Sequence, residues 1–175
     1  KNTSDENIFQ IKSLLRFISR TKNYLNNLFN DFKKSYGLIS FSFLGNDLSS
    51  NYLVKKADVI YIHWINNGFI SLNGLEKIIS LRKPIFLYCH DMWNFTGGCH
   101  QSNGCDNYKI NCTNCHYFNN RLFRKLINNE FLKKKKLYSK SKNLQLILPS
   151  TDFYKKALVS NIIEKNQIHK IPNFI

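Results

Sequence analysis

The chain is short of acidic side chains and of long apolar runs. It has 11 aspartates and glutamates against 26 lysines and arginines, which leaves a formal net charge of +15. Such a field favours anionic partners such as nucleic acid, phosphates or an anionic membrane surface, although a lysine-rich composition alone also produces it. No run of about 18 consecutive apolar residues occurs, so the sequence predicts no transmembrane helix.

Several targeting and binding signatures are also missing. The chain opens with residues 1–5, Lys-Asn-Thr-Ser-Asp, instead of an initiator Met or the apolar core of a signal peptide. We therefore expect a cytoplasmic piece of a longer protein. Neither a GxGxxG fingerprint nor a Walker motif is present. Cysteine is absent outside positions 89–115, where five occur, and in the cytoplasm such a cluster favours a metal site or free thiols over disulfides.

The chain does contain an alternation of short apolar strands and amphipathic helices. Strands are predicted at 59–62, 84–89, 144–148 and 168–171, and helices at 5–36, 72–81, 119–142 and 150–160. Residues 38–44 alternate like a short strand or an extended segment, and 47–56 include a short helix. The order predicts one α/β domain over residues 1–175, a Rossmann-like three-layer fold with a parallel sheet. Residues 91–117 show neither helical nor strand periodicity, which predicts a long loop that is functional or held in place by other contacts.

Two histidines, His63 and His90, follow the ends of predicted strands. Parallel strands end at one edge of a sheet, and open α/β folds bind ligands in the crevice there, so both imidazoles are expected to face that crevice. An imidazole in this position acts as a general acid or base, or hydrogen-bonds a sugar or phosphate oxygen. Asp91 is expected to orient an imidazole or to bond a loop amide. Gly97-Gly98 is expected to allow either close backbone approach to a ligand or a turn with positive φ. The alternative is that each histidine only caps its strand.

Four cysteines follow His90 at spacings that suit a metal ion: Cys99, Cys105, Cys112 and Cys115. The last two have the two-residue separation of a zinc knuckle, whereas the first two are more widely spaced than usual. A structural zinc ion is predicted here, with disulfides or reduced thiols as the alternatives. Cys89 lies within a predicted strand and is expected to be a small core residue.

The predicted helix at 119–142 is strongly basic and includes the lysine run 133–136. Its apolar positions are expected to pack on the sheet: Leu122, Phe123, Leu126, Ile127, Phe131, Leu132 and Leu137. The cationic remainder suits anionic lipid headgroups at the inner face of the cell membrane, or else forms a solvated outer face.

Two segments also carry a resemblance to a known family. Residues 57–69 resemble the segment ADIIHLHWINxGF of bacterial family-4 glycosyltransferases, and residues 83–100 resemble their KPIVWTLHDMWPFTGGCH. Cys105, Tyr108, Cys112 and Cys115 match the C…Y…C..C pattern that follows in this family. Residues 171–173 resemble its IPNGID hinge, and the similarity covers residues 50–175.

This resemblance implies the acceptor-binding, N-terminal half of a GT-B enzyme. Such an enzyme transfers a sugar from a nucleotide-sugar donor with retention of configuration and without a catalytic metal. The acceptor would be a glycan or glycolipid of lipopolysaccharide, capsule or exopolysaccharide. The family's first strand would precede residue 1, the interdomain hinge would start near 172–175, and the donor-binding domain would follow. The chain alone is therefore expected to be inactive.

The resemblance also implies roles for individual residues. His90 and Asp91 would be catalytic, and the substrate contacts would come from the same two motifs: His63, Trp64, Asn66, Thr96, Gly97 and Gly98. The chain departs from the family pattern at Cys89, Asn94, His116 and Phe174.

The alternative function is that of a basic, zinc-containing module that binds nucleic acid, which the net charge and the clustered thiols favour. No recognition helix follows the thiols at finger spacing, which disfavours nucleic acid as the partner.

Overall fold

The computed structural model describes residues 38–173, and its centre is a parallel β-sheet of four strands. The strands lie in chain order across the sheet: β1 (Ile60–His63), β2 (Ile85–Tyr88), β3 (Leu144–Leu148) and β4 (Ile168–Lys170). All three strand pairs are parallel. With the helices that connect the strands, this sheet confirms the predicted α/β, Rossmann-like class. The helix predicted at 5–36 and the last two hinge residues, 174–175, lie outside the described residues.

Within residues 38–173, four α-helices connect or flank the strands. They are α1 (Tyr52–Lys56), α2 (Leu72–Ile79), α3 (Arg121–Ser139) and α4 (Thr151–Leu158). Each begins after an Asn or Ser whose side-chain oxygen accepts a backbone N–H of the first turn: Asn51, Ser71, Asn120 and Ser150. Such N-caps satisfy donors that have no partner inside the helix, which explains why the helices start at these residues.

The two faces of the sheet differ in burial. In register, Ile62 of β1 lies beside Leu87 of β2, and Leu87 beside Leu146 of β3, and all three are buried. On the opposite face His63 pairs with Tyr88, and neither side chain is fully buried. Because side chains alternate along a strand, the apolar half of each strand forms the core and the aromatic half lines the more open face.

The predicted strand at 38–44 does not join the sheet. Ile39 forms a single antiparallel bridge with Cys99, in the loop that follows β2. On either side of it the Ser40 amide donates to the Gly98 carbonyl at 3.0 Å, and the His100 amide donates to the Leu38 carbonyl at 3.0 Å. The loop therefore satisfies the backbone groups of residues 38–40, and of the two predicted alternatives the extended segment fits the structure.

The buried face of α3 also differs from the expected one. Leu122 and Leu132, which were expected to pack on the sheet, are 70% and 46% exposed. Glu130 and Lys134 are buried instead, among inward-facing residues that include Phe131.

None of the helices within residues 38–173 combines the length and the apolar character that a membrane span requires.

Candidate functional site: the crevice at the strand ends

The histidines at the ends of β1 and β2 form a pair. Nδ1 of His63 and Nε2 of His90 lie 2.9 Å apart, so one imidazole donates a hydrogen bond to the other. The His63 ring also stacks on Tyr88, with ring centroids 5.1 Å apart. Both histidines are exposed. The pair thus presents two polar aromatic groups to solvent at the carboxyl edge of the sheet, where a ligand oxygen can reach them.

Asp91 orients an imidazole, but that imidazole belongs to His100. Its Oδ2 accepts a hydrogen bond from His100 Nδ1 at 2.6 Å, and its Oδ1 accepts one from the Trp93 amide at 2.8 Å. The other ring nitrogen of His100 is hydrogen-bonded to Ser40 Oγ at 2.9 Å.

The order Asp91–His100–Ser40 is that of a hydrolase triad, but the serine cannot serve as a nucleophile. Ser40 is completely buried, and His100 is nearly so. A substrate carbonyl therefore has no path to the Ser40 hydroxyl. Because a catalytic triad is defined by its geometry, this set of residues is not one. The network instead fixes the backbone at Asp91, and with it the position of the adjacent His90.

Lys134 is a polar residue of this region that was predicted on the outer, cationic side of its helix, facing lipid headgroups or solvent. Its side chain is 0% exposed. Its Nζ donates to the carbonyl oxygens of Trp93 at 2.7 Å and Thr96 at 3.2 Å, and lies 3.3 Å from the centroid of the Trp93 ring. Burial lowers the pKa of Lys134 to about 8, an effect that the nearby charge of Glu130 opposes.

Glu130, one turn before Lys134 on α3, ties the same helix to the segment before α1. Its Oε1 accepts hydrogen bonds from the amide and the hydroxyl of Ser42. The inward spacing of Glu130 and Lys134, with Ile127, Phe131 and Tyr138 also buried, is a signal that could have identified both. The run of four lysines obscured this spacing, because the three charged neighbours of Lys134 indicated an outer, cationic face.

Five of the eight residues implied by the resemblance meet at the strand ends. His63 is bonded to His90, and a small cavity beside this pair is lined by Trp64, Asn66, His90 and Asp91 together with neighbouring aromatic side chains. The structure therefore brings the two resembling segments together at one crevice, as their positions after β1 and β2 require.

The other three implied residues lie beneath α3, away from the crevice. The Thr96 hydroxyl donates to the Cys99 carbonyl at 2.7 Å and accepts from the Gly98 amide at 3.2 Å. Gly98 has φ of +140°, a conformation that favours glycine. A Cβ on Gly97 would lie 2.6 Å from the carbonyl oxygen of Ile127. Close packing on the helix accounts for Gly97, whereas the positive φ and the approach to the Ser40 carbonyl oxygen, 2.9 Å from where a Cβ would lie, account for Gly98.

Gly97→Ala is therefore expected to lower the free energy of unfolding by about 1–3 kcal/mol, because the added methyl group meets the Ile127 backbone in a filled interior. Urea unfolding followed by circular dichroism measures this. The comparison variant is Gly104→Ala, where no atom lies within 4 Å of the new Cβ and only the strain of φ +82° operates. Unchanged stability of Gly97→Ala would show that the packing argument is wrong.

The four predicted metal ligands surround one small cavity. Cys99, Cys105, Cys112 and Cys115 line it together with Tyr108 and other loop side chains, and its volume is about 10 Å³. All five cysteines of the chain are free thiols, and Cys89 is buried in the core as expected. Within residues 38–173, however, no group of three or more His, Cys, Asp or Glu side chains is arranged to hold a metal ion. The zinc site therefore stays a prediction.

Burial favours the protonated form of three of these thiols, those of Cys99, Cys112 and Cys115. It raises the pKa of Cys112 to about 12 and raises the pKa values of Cys99 and Cys115 as well, and the other cysteines of the cavity add to the effect. Zinc binds thiolates, so loading the cavity would release protons and would draw the sulfurs to about 2.3 Å from the ion.

Elemental analysis of the purified chain tests the zinc prediction. We expect about one zinc per chain, with thiols that react with a thiol reagent only after a chelator is added. The chelated protein should also lose stability, because metal binding orders the loop. Freely reacting thiols in a metal-free protein of undiminished stability would contradict the prediction.

No protein-family model, curated protein or solved structure matches this chain.

Proposed function

We propose that this chain is the acceptor-binding, Rossmann-like half of a nucleotide-sugar-dependent glycosyltransferase. The observation that carries the proposal is the bonded pair His63–His90 at the carboxyl edge of the sheet. The two segments that resemble family-4 glycosyltransferases meet at this pair. The resemblance of these two segments and the geometry of the histidine pair thus support the same crevice as the binding site.

The chemistry of retaining sugar transfer suits this crevice. Positive charge develops on the transferred sugar in the transition state, while the departing diphosphate gains negative charge. Preorganised hydrogen-bonding groups such as His90 stabilise charge that shifts in this way. Asp91 contributes by fixing the backbone through its bonds to His100 and Trp93. The nucleotide would be held mainly by the donor-binding domain that the resemblance implies, so turnover by this chain alone is not expected.

The outer face of α3 suits an acceptor that is a glycolipid of lipopolysaccharide, capsule or exopolysaccharide synthesis. Lys125, Lys133 and Lys136 are exposed on this helix, as is the apolar side chain of Leu132. Each lysine near an anionic membrane surface contributes about 1 kcal/mol to binding. The proposal therefore places the enzyme at the inner face of the cell membrane, in contact with anionic lipid.

Saturation-transfer NMR with methyl hexopyranosides of gluco, galacto and manno configuration tests the proposal. We expect at least one glycoside to receive saturation from the wild-type chain. His90→Ala should weaken that signal several-fold, because it removes a hydrogen-bonding group from the crevice. His169→Ala is the matched control, since His169 is also exposed but lies on β4 and is bonded to Gln145.

Two results would contradict the proposal. One is an absence of saturation for all three glycosides, and the other is an equal signal in the wild type and in His90→Ala. Tight, strongly salt-dependent binding of duplex DNA in place of glycosides would instead support the nucleic-acid-binding alternative that the net charge of +15 leaves open.

A further inference from the structure

The small cavity beside the histidine pair has room for one hydroxyl group. Its volume is about 10 Å³, which is roughly the space that a single water molecule needs. Its walls include the side chains of Trp64, Asn66, Tyr88, His90 and Trp93. Aromatic walls with a few polar groups are the usual composition of a small-molecule subsite.

Asn66 supplies an acceptor that has no partner. The residue is 5% exposed, and its Oδ1 is one of three buried side-chain polar atoms without a hydrogen bond among residues 38–173. A buried acceptor without a donor is costly, and native proteins rarely tolerate one without a functional reason. A ligand O–H placed in the cavity would supply the missing donor.

Trp64 is held in an unusual conformation at the same cavity. Its φ is +42°, in the left-handed region that bulky residues rarely adopt, and its side chain is 48% exposed. The edge-to-face contact with His100, at 5.8 Å between ring centroids, holds the indole in place. Backbone strain of this kind clusters at ligand sites, where the surrounding structure maintains it.

We propose that this cavity is a hydroxyl subsite for the sugar ligand. Asn66 Oδ1 accepts a hydrogen bond from one sugar hydroxyl, and the exposed face of Trp64 packs against the carbon-bound hydrogens of the same ring. The inference rests on the proposed function and deepens it, because it makes Asn66 the residue that selects which hydroxyl configuration binds.

Tryptophan fluorescence tests the subsite directly, since the chain has only two tryptophans. Both of them line the cavity, so a change in emission on titration with a methyl hexopyranoside reports on binding at this cavity. Each glycoside that binds is then replaced by its monodeoxy analogues. We expect the loss of one particular hydroxyl to weaken binding about three- to tenfold, the effect of one hydrogen bond, and the others to matter less.

Asn66→Leu supplies the second arm of the experiment. This variant should bind the parent glycoside about three- to tenfold more weakly and should no longer distinguish it from the critical deoxy analogue. Its stability should be equal to or greater than that of the wild type, because an unpaired buried acceptor is removed. If the variant does not fold, the deoxy series on the wild type decides alone. In that series, equal losses for all positions, or none, overturn the proposal.

The failure of this inference is distinguishable from the failure of the proposed function. Glycoside binding that is sensitive to His90→Ala, but unaffected by Asn66→Leu, overturns the subsite and leaves the proposed function standing. Failure of every glycoside to bind overturns both.

Discussion

Replacing Lys134 with methionine is expected to lower the free energy of unfolding by about 3–5 kcal/mol. The wild-type Nζ is fully buried and donates to the carbonyls of Trp93 and Thr96. The variant leaves both carbonyls without this donor and leaves the buried carboxylate of Glu130 without a nearby positive charge. Urea unfolding followed by circular dichroism measures the loss.

Two further variants isolate the cause of that loss. Lys125→Met, at an exposed position on the same helix, should change the stability by no more than about 0.5 kcal/mol. Combining Lys134→Met with Glu130→Gln should recover part of the loss, because the amide carries no charge that needs compensation. Equal effects at positions 125 and 134 would refute the assignment of a buried, structural lysine.

Trp93→Ala is expected to cost a similar amount, about 3–5 kcal/mol, by a different mechanism. The ring is buried, its Nε1 donates to the Ser40 carbonyl at 2.8 Å, and one face lies against Lys134 Nζ. Truncation leaves a large cavity, removes the donor from Ser40 and takes the aromatic face away from a buried cation. Chemical unfolding again provides the measurement.

The second tryptophan of the chain is the matched control. Trp64→Ala removes a half-exposed ring and its edge-to-face contact with His100, so the free energy of unfolding should fall by only about 1 kcal/mol. The free energy of unfolding of Trp93→Phe should lie between those of the two alanine variants. This variant keeps an aromatic face for Lys134 but leaves the Ser40 carbonyl without its donor. A tolerated Trp93→Ala would show that the loop after β2 is not held by this ring.

The regular elements follow from local patterns, which explains why they could be predicted. The run Leu144–Leu148 is β3 at its predicted bounds, and the helix predicted at 150–160 forms over Thr151–Leu158 with Ser150 as its N-cap. Periodicity and capping act over a few residues, so one sequence is enough to reveal them. The helix ends were predicted less well, because fraying and capping shift them by a residue or two.

The partners of buried polar groups could not be predicted in this way. Ser42 and Glu130 are separated by 88 positions in the sequence, and Trp93 and Ser40 by 53. Nothing local indicates that the alternating serines of 38–44 satisfy His100, Trp93 and Glu130. The segment resembled a strand because its apolar residues alternate, yet its hydrogen bonds go to a loop and a helix.

The candidate site likewise contains residues that could be placed from the sequence and residues that could not. His63 and His90 could be placed together because strand ends of a parallel sheet share one edge. Thr96 entered the candidate site through the resemblance alone, and Gly97 and Gly98 through glycine's backbone freedom as well. The structure places all three against α3 or the cysteine cavity. Sequence patterns therefore identify a candidate edge of the sheet more readily than they separate the residues exposed at that edge from the residues that support it.

The order of the strands has a consequence for how fast the chain folds. Each strand pairs with the next one along the chain, but the link from β2 to β3 contains the whole cysteine loop and α3. Closing this long connection costs more entropy than closing the β1–β2 or β3–β4 links, and non-local pairing slows folding. We expect two early βαβ units whose association is rate-limiting. The bonds from Lys134 to the Trp93 turn lie on that connection, so they should form with this slow step.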